Sequence, residues 1–183
     1  MEKINTLEKL INQLDECDQR KDYIQLANAL TLNEKELHKF AFWDKNHYTR
    51  NCIKRTDDYE LLLLCWEKGQ ETPIHCHNGE ECWVYLASGK IYEKRFQKNN
   101  NNQPYPIDEL KMENSGVSYM NDEMGYHLLK NLEDGRSMTL HLYVEPIDQC
   151  SIYSEEEQKF IFKDLEYYSY KGELNKDTAV ENR

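Results

Sequence analysis

A chain of 183 residues is long enough to bury one substantial core and short for two. Its formal net charge of −11 argues against a nucleic-acid surface, because phosphate backbones are held by clustered Lys and Arg. No apolar run approaches the ~20 residues of a membrane helix and the first residues are polar, so the expectation is a cytoplasmic protein that binds no membrane; a monomer is also expected.

Leu7, Leu10, Ile11 and Leu14 recur at helical spacing, predicting an amphipathic helix from Thr6 to about Cys17. A second helix is expected over Tyr23 to Leu30. Asn33 followed by Glu36 resembles an N-cap with its reciprocal acidic partner, opening a third helix that carries Leu37 and Phe40. These helices read as a cap, residues 1–45, on a larger β body.

From His47 the pattern changes. The nearly continuous apolar run Tyr59 to Trp66 fits a strand covered on both faces. Glu81 to Gln97 reads as two strands around Ser88-Gly89, and Lys98 to Pro104 as an exposed loop. Further strands fit Gly116 to Met120, Tyr126 to Leu132 and Ser137 to Val144, the last two joined as a hairpin across Glu133-Asp134-Gly135. Phe160 to Tyr170 supplies one or two more. Gly172 to Arg183 is a charged tail, expected to be mobile. Many short strands at turn-like spacing make a mostly β fold, closed or sandwiched, in one domain with its barrel over 46–171. Six scattered cysteines without a Cys-x-x-Cys pair point to reduced thiols.

The chemistry concentrates in Glu71 to Gly89. His75 and His77, one residue apart, share one face of an extended segment, because side chains alternate along a strand. An imidazole pair on a rigid strand suits first-row divalent metals, and His127 is the best third ligand. Three neutral imidazoles leave the ion its full charge, so such a site favours an anionic ligand from the substrate, and a thiolate is a strong donor. Arg50 can hold a carboxylate through two parallel hydrogen bonds, although composition alone favours a solvated surface arginine. Thr139, His141 and Tyr143 alternate along one strand and share a face, either as a hydrogen-bond relay that sets the Tyr143 proton or as a polar row that satisfies itself. Cys82 alternates with Val84 and Leu86, which turns its sulfur inward and Glu81 outward. A slip of one residue would reverse this and make Glu81 a ligand.

His-x-His, a strand, a Ser-Gly turn and a distant lone His resemble the cupin superfamily, which implies a double-stranded β-helix barrel with the helices packed outside. In its commonest form a glutamate follows the second histidine, and here Cys82 fills that place. Cys82, the three histidines, Tyr48-Thr49-Arg50-Asn51, Cys65-Trp66, Leu140-His141-Leu142-Tyr143 and Cys150 together resemble cysteine dioxygenase, over about Phe42 to Cys150. The resemblance implies iron(II), Fe(II), held by His75, His77 and His127, with Arg50 clamping the carboxylate of L-cysteine helped by Tyr48. It also implies Tyr143 beside the metal and joined to Cys82 through a thioether. Val144-Glu145-Pro146 departs from the Ser-Pro-Pro of the animal members, so the pocket wall is expected to differ there. The implied reaction is oxidation of L-cysteine by O2 to cysteine sulfinate. The alternatives are 3-mercaptopropionate as substrate, or a three-His, one-Glu cupin enzyme acting on a non-thiol.

Overall fold

The computed structural model describes residues 2–17 and 19–175. Helix α1 (Leu7–Asp15) begins where the Thr6 hydroxyl accepts from the Lys9 amide, and it buries Leu7, Leu10 and Leu14. Each such side chain contributes roughly 1.5–3 kcal/mol by leaving water. Helix α2 (Arg20–Ala29) starts three residues earlier than its apolar pattern announces and buries Tyr23, Leu26 and Ala27. Asn33 does cap a third element, a 3-10 helix over Glu34–Phe40, by accepting from the Lys35 amide. Glu36 is not its reciprocal partner: its carboxylate reaches 3.3 Å to the Leu7 amide and occupies an orphan donor of α1 instead.

Twelve strands follow: β1 (Thr49–Arg55), β2 (Tyr59–Trp66), β3 (Glu81–Ser88), β4 (Ile91–Lys98), β5 (Pro104–Met112), β6 (Val117–Met120), β7 (Tyr126–Lys130), β8 (Ser137–Val144), β9 (Gln149–Ser154), β10 (Lys159–Asp164), β11 (Ser169–Tyr170) and β12 (Glu173–Leu174). One sheet has the order β12-β11-β1-β2-β8-β3-β6. A second runs β5-β4-β7, and backbone bridges from Glu71 to Lys130 and from His75 to both His127 and Ile152 carry it on to the β9-β10 pair.

The larger sheet is covered on both faces, which is why β2 and β8 are buried at every residue. Leu61, Leu63, Trp83, Tyr85, Leu140 and Leu142 pack against α1 and α2 outside the barrel. Leu62, Leu64, Trp66, Cys82, Val84, Leu86 and Tyr143 face inward, onto Ile91, Met112 and Leu129 of the second sheet.

One connection and the C-terminal stretch differ from the sequence reading. The Tyr126 and Ser137 strands are not a hairpin, because β7 pairs with β4 and β8 pairs with β2 and β3. The reason is Asn131: its amide donates to the carbonyls of Trp66, Glu67 and Gly135, while its oxygen accepts from the Glu133 amide and the Ser137 hydroxyl. That knot turns the Asp-Gly segment into a crossing between sheets. Of the expected C-terminal tail, Glu173–Leu174 pair with β11, and residues 176–183 lie outside the described residues. Strand β5 has no apolar alternation to announce it, being an edge strand exposed along most of its length.

Candidate metal centre and anion pocket

His75 and His127 are brought together by backbone: each amide donates to the other's carbonyl at 2.9 Å, so the two imidazoles rise on one side of that bridge. His77 joins them through the following turn. Asn78 and Gly79 take left-handed conformations there, and the Asp122 carboxylate accepts from the amides of His77 at 2.9 Å and Gly79 at 2.7 Å. The Gly125 before Tyr126-His127 has φ +103°, and a Cβ on it would meet the Phe96 carbonyl oxygen at 2.3 Å.

The three rings offer ligand nitrogens within 4.8 Å of one another. His75 Nδ1 donates to the Pro73 carbonyl at 3.0 Å and His127 Nδ1 to Glu93 Oε1 at 2.9 Å, which leaves both Nε2 lone pairs free. His77 Nε2 faces His127 Nε2 at 3.1 Å, and His77 Nδ1 is buried without a hydrogen-bond partner among the described residues. Two ring nitrogens aimed at each other at that distance suit a shared cation, and the donor set fits a first-row divalent ion. Burial, with the neighbouring imidazoles adding to it, pushes His75 down to about 3 and His77 well below the usual range, so both are the neutral rings a metal requires.

Glu93 belongs to this cluster and was not named by the motif reading. It is buried, it orients His127, and it is itself held by the Ser118 hydroxyl and by Arg95 Nε at 3.3 Å. Burial pushes its carboxyl up, but the hydrogen bonds from His127 and Ser118 outweigh this and the net shift is downward. A signal was available: Glu93 lies two residues after the fully buried Ile91, on the same strand face.

Cys82 is completely buried and is the Cα partner of Tyr143, so sulfur and phenol lie side by side across β3 and β8. Glu81 shares its strand face with Trp83 and Tyr85, on the helix side, and is not among the ligand group. Behind Cys82 runs a line of polar contacts. Trp66 Nε1 donates to Thr139 Oγ1 at 2.9 Å, and Thr139 Oγ1 lies 2.8 Å from His141 Nε2. His141 Nδ1 then approaches the Cys82 sulfur at 3.9 Å. The line therefore ends on Cys82, and His141 meets Tyr143 by ring stacking, with centroids 6.3 Å apart. Burial raises the Cys82 thiol and the Tyr143 phenol, keeping both protonated.

A cavity of about 660 Å³ opens onto this cluster, lined among others by Tyr48, Arg50, His75, His141, Tyr143 and Cys150. Arg50 is nearly buried, and its Nε and one terminal nitrogen have no hydrogen-bond partner among the described residues. Donors held this way cost free energy unless an anion meets them. Tyr48 is stacked on Trp66 with centroids 4.8 Å apart, which fixes its ring at the cavity wall.

A conserved Klebsiella pneumoniae protein with a double-stranded β-helix domain superposes with a TM-score of 0.50 at 12% identity, covering 70% of this chain and 95% of that one. This shared architecture is the cupin barrel. Among curated relatives, zebrafish (Danio rerio) cysteine dioxygenase type 1 is 27% identical over 163 residues, 84% of this chain and 81% of the relative. The Homo sapiens enzyme is 29% identical over 135 residues, 71% of this chain and 67% of the relative. The family model for cysteine dioxygenase type I matches residues 1–156, a span that includes all three imidazoles, Arg50, Cys82 and Tyr143. With that match over most of its length, the chain belongs to the cysteine dioxygenase type I family.

Proposed function

We propose that this enzyme uses iron(II) to oxidise L-cysteine with O2 to cysteine sulfinate. The observation that carries the reading is that His75, one of three imidazoles whose ligand nitrogens lie within 4.8 Å of one another, lines the same cavity as Arg50, whose nearly buried guanidinium has two nitrogens without a hydrogen-bond partner among the described residues. His75, His77 and His127 would hold the ion, and when bound it would supply a redox-active Lewis acid that favours thiolate over thiol. Arg50 pairs with the substrate carboxylate, and Tyr48, fixed by its stack on Trp66, closes the same end. Tyr143 presents its phenol to the reacting sulfur, while Thr139 and His141 hold Cys82 from behind. Both oxygen atoms reach one sulfur, which gives up four electrons, so the balance R–SH + O2 → R–SO2⁻ + H⁺ needs no further reductant.

Cys82 and Tyr143 stand where a thioether could form. Loss of the S–H and one ring C–H hydrogen, with two electrons passing to O2, would leave the chain two hydrogens lighter, which intact-mass measurement would detect.

The test is an oxygen electrode with iron-loaded protein and a panel of thiols. Cysteine should be consumed one-for-one with oxygen and appear as sulfinate. Absence of cysteine-dependent uptake overturns the reading, and faster turnover of 3-mercaptopropionate would transfer it to that thiol.

A further inference from the structure

Glu60 is an interior carboxylate to which the reaction above gives no task. It shares strand parity with Leu62, Leu64 and Trp66, so it faces into the barrel, and its side chain is 0% exposed. Its Cα partners are Arg55 on β1 and Tyr143 on β8, which places Arg55, Glu60, Tyr143 and Cys82 in one row across four strands. Arg55 reaches that row through a bulge between Cys52 and Lys54, since an unbroken ladder would set Lys54 there. Glu60 Oε1 is tied by the Tyr167 hydroxyl and lies 3.5 Å from Arg55. Oε2 is buried without a hydrogen-bond partner and faces the unpartnered Arg50 Nη2 across 3.9 Å. That gap is too long for a hydrogen bond, yet short enough for strong Coulombic coupling away from water.

We propose that Glu60 is a positioning residue for the anion pocket: its protonation sets how much of the Arg50 charge is free for the substrate carboxylate, and carboxylate binding draws a proton onto Glu60. The proposal rests on the carboxylate-holding role given above to Arg50. Two carboxylates would otherwise compete for one guanidinium, because Arg55 is already engaged by Asp148 at 2.8 Å and by the Tyr167 hydroxyl at 2.7 Å. Burial pushes the Glu60 carboxyl up to about 7 against the opposing pull of Arg50 and Arg55, so the proton is exchangeable near neutral pH. Cys52, Cys82 and Tyr143 are raised by burial, Asp148 is lowered first by its bond to Arg55, and Arg55 is raised by the same bond. Below neutrality Glu60 is uncharged and the pocket attracts anions strongly, and above it the pocket loosens.

The experiment follows KM and kcat for L-cysteine on iron-loaded full-length protein between about pH 6 and about pH 8, comparing wild type, Glu60→Gln and Glu60→Asp. The wild-type KM should climb at least about threefold more than that of Glu60→Gln across this range, with the kcat profiles parallel, since one pKa unit of coupling is a tenfold change. Glu60→Asp should restore a climb at a shifted pH. Anaerobic calorimetry with L-cysteine in two buffers of different ionisation enthalpy should show wild type taking up more protons than Glu60→Gln. Superimposable KM profiles, or equal proton counts, overturn the proposal. If Glu60→Gln does not fold, Glu60→Asp decides, because withdrawing the acid from Arg50 must move the profile. A wild type without cysteine-dependent oxygen uptake would instead sink the proposed activity, and the calorimetric comparison would still judge Glu60.

Discussion

Arg50 and Glu93 show what single side chains contribute through charge held away from water. Arg50→Ala removes charge-assisted bonds worth about 1.5–3 kcal/mol, so KM for cysteine should rise by roughly ten- to a hundredfold. Steady-state kinetics checks this, and an unchanged KM would put the carboxylate elsewhere. Glu93→Gln keeps the shape beside His127 but removes the charged acceptor on Nδ1. Iron affinity, read by competition with a chelator, should fall by roughly ten- to a hundredfold. Neither side chain takes its place without the strand that carries it.

At the scale of elements, the ligand geometry depends on turns more than on strands. Gly125→Ala would force a Cβ against the Phe96 carbonyl at a φ of +103°, one residue pair before His127. It should cost about 1–3 kcal/mol in urea unfolding and weaken metal binding with it. By contrast, Arg20 ties the start of α2 to Glu80 at 3.0 Å and Glu145 at 2.6 Å through half-exposed groups. Arg20→Ala should therefore change stability by no more than about 1 kcal/mol, since exposed ion pairs contribute little. On the outer face, Leu10→Ala opens the contact between α1 and the large sheet and should cost about 2–5 kcal/mol in the same measurement.

For the whole molecule, acid is the weak side. His75 falls from 6.5 to about 3, and His77 and His141 are held well below 6.5 by burial, so between those values the folded chain binds fewer protons than the unfolded one. Their contribution is present above pH 6.5 and is lost as pH falls through that window. Glu60 acts in the opposite sense: raised from 4.5 to about 7, it costs stability as pH rises through that range. Three imidazoles outweigh one carboxyl. The metal-free protein should have a lower urea midpoint at about pH 5 than at about pH 7, and a higher one would refute the neutral burial of His75, His77 and His141.

The sequence by itself determined the elements whose pattern is local: the apolar stripe of α1, the doubly covered strand β2, and the inward parity of Cys82 and His141 that follows from alternation. It also named the three imidazoles that the fold brings together, because His-x-His and a distant His with this company form a specific motif. Only the tertiary structure decided what depends on pairing between distant segments. Asn131 sent β7 and β8 into different sheets despite an Asp-Gly turn, and the edge strand β5 gave no apolar signal because one side of it meets solvent. The alignment of Arg55, Glu60, Tyr143 and Cys82 in one row is set by a bulge and by register, which are properties of the sheet. A carboxylate in a strand reads as a solvated residue until the fold closes over it and turns its charge toward Arg50.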